Sequence, residues 1–400
     1  MAETWDVCIV GAGIVGLTLA RAFVQRGVSR ILVLEREATL GRHASGRNSG
    51  ILHAGVYYEP GSLKARFCVE GNRRLKAFCQ EYGLPLRTTG KVLVPTRPAD
   101  LATLQEIKRR ADANGARAEW IDGRALADIE PYASTRYDTA LFVADTAVVD
   151  PRSILQALAD ELTRTGRVSI RYGTTVLGPA GPRRIQTSHG PVSYGFLVNA
   201  AGAYADRIAH AFGVGREYVI LPLKGTYRRL RPDRSHLVRG NIFPVPDLKF
   251  PYLGVHLTRG VDDVVYVGPT ASPALGRSHY GRLSGLSPEA VGILGRVAVL
   301  FVRNPEFRRF AVQAVRRHAS GGFLRAVRDL VPAVRAGDLV RAERVGIRAQ
   351  LVHRPTHGLV MDFQVLRDEA ALHVLNAVSP AFTASMAFAD YLADLVGVRE

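Results

Sequence analysis

The chain has 400 residues, of which 47% are hydrophobic and 22% charged, a composition that excludes wholesale disorder and fits a globular protein of two or more domains. Its net charge of +17 would attract polyanions. Only six of the 53 basic residues are Lys, however, the Arg are spread along the whole chain, and no recognition motif accompanies them, so nucleic acid is not expected as a partner.

In chain order, the first apolar strand starts at Trp5 in WDVCIVGAG and leaves no room for a signal peptide before it. This strand runs into Gly11, Gly13 and Gly16 and then into an apolar-periodic helix containing Ile14, Val15, Leu17, Ala20 and Phe23. Strand, Gly-rich turn and helix together predict a dinucleotide site. The three glycines permit the tight turn, the close approach of a pyrophosphate and helix-on-strand packing, and the helix N-terminus faces the phosphates. The second strand, RILVLER, ends at Glu35 and Arg36, and Glu35 is placed to accept from both ribose hydroxyls. An acid here argues against a 2′-phosphate and leaves FAD or NAD.

The stretch HASGRNSGILHAGVYYEPG, from His43 to Gly61, has neither helical nor strand period. A loop of this length needs a large ligand to order it, which favours FAD over a nicotinamide. Ser45, Asn48, Ser49, Gly50 and Leu52 are the candidates to follow the pyrophosphate and ribityl chain.

A helix is predicted over SLKARFCVEGNRRLKAFCQEYG, ending at Gly83. A strand at GKVLVPT follows, then a polar helix around 101–115, one strand through ALFVADTAVVD and, after Asp150-Pro151, the helix SILQALADELTRTG. RVSIRYGTTV, which contains the cofactor candidate Val176, reads as strand. FLVNAAGAYADRIAHAFG is a second buried strand turning at Ala201 and Gly202 into a helix, so two Gly turns bracket one dinucleotide at the same sheet edge. Successive strands are expected over 221–269 and basic amphipathic helices over 287–344, where eleven Arg face five acids. The longest apolar run, VGILGRVAVLFV from Val291, is cut by Arg296 and too short to cross a bilayer.

The last sixty residues return to strands and a helix and complete the first domain. The division expected is 1–82, 146–215 and 344–400 for nucleotide binding, and 83–145 and 216–343 for a substrate and cap domain. Cys8, Cys68 and Cys79 are odd in number and lack zinc or disulfide spacing. A reducing cytoplasm and no metal are the expectation, and a peripheral place on the inner face of the cell membrane is the alternative that the basic helices raise.

GAGIVG with Glu35, NAAGAYAD, GIRAQ and the final SPAFTASMAFADYLADL resemble the superfamily of FAD-dependent D-amino-acid oxidase and glycerol-3-phosphate dehydrogenase. SGRNSGILHAGVYYEPGSLKARFCVEG, LPLKGTYRRL and FPYLGVHLTR are closer still to the L-2-hydroxyglutarate dehydrogenase, or oxidase, family, and the resemblance covers nearly the whole chain. It implies an α/β fold, with a Rossmann-like FAD-binding domain and a second, mixed-sheet substrate domain capped by helices. It also implies oxidation of L-2-hydroxyglutarate to 2-oxoglutarate by hydride transfer to flavin N5 with a His general base, the electrons passing to a quinone or oxygen. A flavin amine oxidase acting on a small amino acid is the alternative.

The resemblance assigns roles residue by residue. His53 is the first candidate base, and His256, similar to a substrate-facing His of sarcosine-oxidase-like relatives, is the second. Arg348 stands where the superfamily's GxRP arginine binds the substrate carboxylate, although Ala349 replaces the Pro. Lys224, Tyr57, Tyr227 and Tyr252 are expected around the substrate. His43, His353, His357 and His373 are expected to be structural or exposed. The turn carrying Pro380, Ala381, Thr383, Ala384 and Ser385 aims a helix N-terminus at the flavin N1/O2 edge. The cysteines lie far from that turn in sequence, and the FAD is expected to be non-covalent.

Overall fold

The computed structural model describes residues 4–248, 254–281, 284–318 and 321–397. Three sheets organise them. In the first, β1 (Thr4–Val10) lies between β2 (Ile31–Leu34) and β12 (Gly190–Asn199), with β9 (Val168–Arg171) beyond β2 and β20 (Ala371–Asn376) beside β12, all parallel. Its outer part is antiparallel: β10 (Val176–Pro179) and β11 (Arg184–Thr187) continue from β12, and β19 (Gln364–Arg367) pairs with β20. Buried on both faces, the central strands read as apolar runs, as parallel strands require. Helix α1 (Ile14–Gln25) covers one face with α10 (Ala381–Val396) packed on it, and α2 (Leu63–Glu81) packs on α10. Helix α5 (Pro151–Arg164) lies beside α1 and starts where Asp150 accepts from the amides of Arg152 and Ser153, with Pro151 in the first turn.

The second sheet is larger. Its order is β18 (Gly358–Leu359), β17 (Leu339–His353), β13 (Tyr218–Leu230), β16 (Val265–Pro273), β15 (His256–Arg259), β14 (Asn241–Pro244), β5 (Lys91–Val94), β7 (Ala140–Val143) and β6 (Glu119–Ile121). Helix α3 (Ala99–Ala113) supplies Leu104, Ile107 and Ala111 to the core over its β5–β7 end, and α4 (Gly123–Ile129) contributes Leu126 on the other face. Helices α7 (Ala290–Arg303) and α8 (Pro305–His318) cover the β13–β17 end, and α9 (Gly322–Arg328) follows. A third, small sheet of β3 (Ile51–Leu52), β8 (Ala147–Val149) and β4 (Leu86–Arg87) ties the long loop to the rest. Helix α6 (Ala205–Ala211) closes a core with Ile220, Leu351 and Leu375 that joins the two large sheets.

The structure departs from the sequence reading in three places. ALFVADTAVVD is two strands in different sheets, because Asn72 and Lys76 of α2 hold the Asp145 carbonyl and turn the chain. The basic helices end at Arg328, and Leu339–Arg344 is already strand. The segment 344–353, expected with the nucleotide-binding part, belongs to the second sheet, since β17 pairs with β13 from Leu230↔Leu339 to Tyr218↔His353.

Gly71 sets the approach of α2 to α10. A Cβ there would collide with the Thr383 carbonyl and meet Ala384 Cα at 2.7 Å. We expect Gly71→Ala to destabilise the fold by about 1–3 kcal/mol by overpacking, read as a lower urea midpoint. An unchanged midpoint would show that the two helices can separate freely.

Candidate active site

The first Gly turn and the second meet. Gly11 follows β1 with φ 107°, and a Cβ there would lie 2.7 Å from the Ala200 carbonyl beyond β12. Gly16 packs α1 onto this turn, where a Cβ would strike the Gly11 carbonyl. The Glu35 carboxylate accepts from the amides of Ala12 (3.0 Å) and Glu37 (2.9 Å), so it is fixed beside the Gly-rich loop. Ser45 accepts from the Ile14 amide at 3.0 Å, at the N-terminus of α1.

A cavity of about 690 Å³ opens at this edge. Gly11, Gly13, Ile14, Val15, Glu35 and Arg36 line it beside the Gly-rich turn. Ser45, Asn48, Ser49, Val176, Ala201 and Gly202 extend the lining, and Pro380, Ala381 and Thr383 bring the start of α10 to it. These residues fit FAD: only glycine fits at positions 11 and 16, one carboxylate is held for a ribose, and two helix N-termini reach the lining.

Some cofactor candidates are placed elsewhere. Gly50 holds a turn at φ 75°, where a Cβ would sit 2.5 Å from the Val149 carbonyl. Leu52, on β3, and Ala384 and Ser385, on α10, are fully buried away from the cavity; α10 meets α2 at Ala384 and α1 at Ser385, whose carbonyl accepts from Thr18 at 3.2 Å. They pack the cradle and do not line it.

The same cavity receives His53, Tyr227, His256 and Arg348. His53 is pinned through its backbone: its amide donates to Thr383 Oγ1 (3.1 Å), and its carbonyl accepts from Asn72 Nδ2 (3.1 Å) and Cys68 Sγ (3.4 Å). Its ring Nδ1 has no hydrogen-bond partner among the described residues. His256 begins β15 and stacks on Phe243 at 3.9 Å. Its Nδ1 donates to the Gly254 carbonyl at 3.0 Å, which leaves Nε2 as a buried acceptor without a partner. Arg348, on β17 opposite Leu223, donates from Nε to Gln350 at 3.2 Å. Gln350 is in turn anchored on the Leu351 and Val360 carbonyls.

Burial pushes both imidazoles down to about 3, and the Lys91 ammonium below them adds to the fall. They are therefore neutral near neutral pH, each with a ring nitrogen, His53 Nδ1 and His256 Nε2, that has no partner among the described residues. Burial also pushes the Tyr227 hydroxyl up to about 12 and keeps it a donor. Glu35 is the only acid among the described lining residues. The end of the cavity holding the two imidazoles and Arg348 thus suits an anion that must lose a proton.

Two substrate candidates are placed differently from expectation. Lys224 donates to the Gly281 carbonyl at 2.6 Å and does not line the cavity. The alternation of β13 brings Leu223, Gly225 and Tyr227 to that side and takes Lys224 to the other. Tyr57 is buried beneath the site with an unpartnered hydroxyl, and Tyr252 lies outside the described residues. His373 is structural, bonded to Asn199, whereas His43 lines the cavity, bonded to Glu37 at 2.7 Å and Tyr280 at 3.0 Å. Of this mouth, where Arg47 stacks on Tyr280 and Arg36 on Tyr204, each at 4.1 Å, sequence reasoning found Arg36 and missed the rest. It also missed the buried ammonium of Lys91. A lysine opening the apolar strand KVLV is the signal that was present.

The family described as FAD dependent oxidoreductase matches residues 6–395. An L-2-hydroxyglutarate dehydrogenase of Indibacter alkaliphilus is 34% identical over 96% of this chain and 96% of its own. Its Escherichia coli K12 counterpart is 34% identical over 96% and 90%, and the human mitochondrial one 32% over 99% and 89%. Among solved structures, an FAD-bound L-alpha-glycerophosphate oxidase from Mycoplasma pneumoniae superposes with a TM-score of 0.76 at 20% identity, covering 99% of this chain and 95% of that one. Fold, cradle and relatives define an FAD-dependent oxidoreductase. Within that class the chain belongs to the L-2-hydroxyglutarate dehydrogenase family.

The buried imidazoles link proton binding to stability. Held below their ordinary value, they bind fewer protons folded than unfolded between about pH 3 and 6.5, so stability falls as pH drops through that window. His256→Gln should remove one proton from this slope, about 1.4 kcal/mol per pH unit. Urea titrations of the two proteins at pH 4 to 6.5 with equal slopes would contradict the buried neutral state.

Proposed function

We propose that this protein oxidises L-2-hydroxyglutarate to 2-oxoglutarate. One observation carries the reading: two neutral imidazoles and Arg348 converge in a cavity whose only described acid, Glu35, belongs to the nucleotide end. Bound FAD supplies the hydride acceptor, its N5. Arg348 receives the C1 carboxylate with its planar fork, and the Tyr227 hydroxyl donates beside it. His53, its Nδ1 without a partner among the described residues, takes the C2 hydroxyl proton as C2 gives up its hydride and becomes a ketone, and His256 Nε2 is the second candidate to accept that proton. Cys8, Cys68 and Cys79 are buried thiols raised to about 12 by burial, and none lines the cavity, which supports a non-covalent cofactor.

The reading assigns residues 1–82, 146–215 and 354–400 to cofactor binding and the remainder to the substrate and cap domain. It places the electron acceptor, a quinone, at an anionic membrane surface. Helix α7 leaves Val291, Leu294 and Val302 exposed at helical spacing, with Arg303, Arg308 and Arg309 also exposed, the composition of an interfacial helix. No described helix is long and apolar enough to cross a membrane.

Anaerobic mixing with L-2-hydroxyglutarate should bleach the flavin, whereas the D enantiomer and amino acids should not; bleaching by an amino acid alone would make the protein an amine oxidase. His53→Ala should slow reduction at saturating substrate by on the order of 10²-fold or more, and His256→Ala less. The reverse ranking would exchange their roles. In flotation, the protein should rise with anionic vesicles at low salt and lose them when Val291 and Leu294 become Glu. Recovery in the soluble fraction, with reduced flavin reoxidised only by oxygen, would refute the membrane route.

A further inference from the structure

Lys91 opens β5 and is among the largest fully buried side chains, with 1% of its surface exposed. Lys91, Phe243 and His256 share one face of the second sheet. Their neighbours Val92, Ile242 and Leu257 are paired in register and enter a different core on the other face. The ammonium lies 4.3 Å from the centre of the Tyr57 ring and 5.3 Å from that of Phe243, the ring on which His256 stacks. Its Nζ has no hydrogen-bond partner among the described residues. The titratable groups facing it are His53 and Tyr57 from the long loop, Cys68 from α2 and His256 from β15, with Arg348 of β17 beside His53. No carboxylate among the described residues acts on it.

A cation buried without a counterion is costly. It is held here below two imidazoles that have unpartnered nitrogens of their own. We propose that Lys91 is a positioning residue whose charge sets the proton affinity of His53 and His256, so that losing its proton strengthens the base. The inference rests on the proposed imidazole base. Burial brings Lys91 down to about 7, within reach of physiological pH. Below that value the ammonium opposes an imidazolium above it. Above that value Lys91 is neutral, the opposition is gone, and the imidazole accepts the hydroxyl proton more readily. Lys91 neither touches the cavity nor receives that proton; it acts through the rings.

The test is the rate of flavin reduction by L-2-hydroxyglutarate in the holoenzyme from pH 5.5 to 9. The wild-type rate should rise on the order of tenfold through a midpoint near Lys91's own. Lys91→Met should flatten the profile at the upper level and Lys91→Arg at the lower, because the guanidinium keeps its charge. Lys64 has a similarly lowered ammonium, but it stands by Arg348 and Asp362 and does not act on the imidazoles, so Lys64→Met should keep the rise. A flat wild-type profile, or one kept by both Lys91 variants, overturns the proposal.

A readout independent of activity separates this from failure of the base assignment. Between about pH 7 and 10 the wild-type unfolding constant should fall about tenfold per pH unit more steeply than that of Lys91→Met, since only the unfolded lysine still holds its proton there. If that slope appears while His53→Ala and His256→Ala reduce at the wild-type rate, Lys91 titrates as described but the imidazole base is wrong, and the proposal falls with it. Parallel slopes refute the titration itself.

Discussion

The parallel registration of β1 with β12 is the constraint on which the site depends. Val10 pairs with Asn199, so the chain leaves both strands at one level, and Gly11 and Ala200 are brought into contact. Each strand ends in a turn that feeds a helical segment, and the cavity opens between those turns. In an open parallel sheet this edge collects backbone amides and leaves no strand to cover them. The absence of a Cβ at Gly11 permits the approach, and any side chain there would have to displace the neighbouring turn.

A second apposition carries the chemistry to that edge. Gly71 lets α2 reach the start of α10, and Thr383 in the first turn of α10 then accepts the His53 amide. Asn72, one residue on, holds the His53 carbonyl. The long loop has little secondary structure of its own, and its ordering comes from the helices on either side of it. A sheet edge forms the nucleotide cradle, and a helix crossing places the imidazole in the same cavity.

What was legible in the sequence follows from this division. GAGIVG, Glu35 and NAAGAYAD are local signals: their spacing along the chain is the geometry, and the cradle was readable from them. Arg348, His53 and His256 were found by resemblance, and they line one cavity. Lys224 and Tyr227 were both chosen from LKGTY, yet they stand an odd number of residues apart on a strand and so point to opposite faces. The split of ALFVADTAVVD depends on Asn72 and Lys76, some seventy residues earlier, and no local pattern encodes it. The assignment of β17 depends on its pairing with β13, more than a hundred residues away. Lys91 was overlooked because a lysine at the start of a strand is ordinarily solvated; its burial follows from the loop, α2 and a distant strand closing over it.

The charge balance of the cavity bears most directly on substrate. Arg348 lines it, and Lys64 and Lys91 are buried around it with their ammonium groups made less basic by burial. Desolvated cations of this kind gain most from an anion that arrives already charged. On the proposed reading, a 2-hydroxy diacid brings two carboxylates and a neutral hydroxyl, and each has a complementary partner type here. An amino acid would bring an ammonium group at the reacting carbon, next to two imidazoles that burial, helped by the Lys91 ammonium, keeps unprotonated, with no acid among the described lining residues at that end to receive it. On the proposed reading, the burial and positive surroundings that hold the imidazoles neutral also disfavour the competing substrate class, so the proposed base and the proposed specificity share one physical origin.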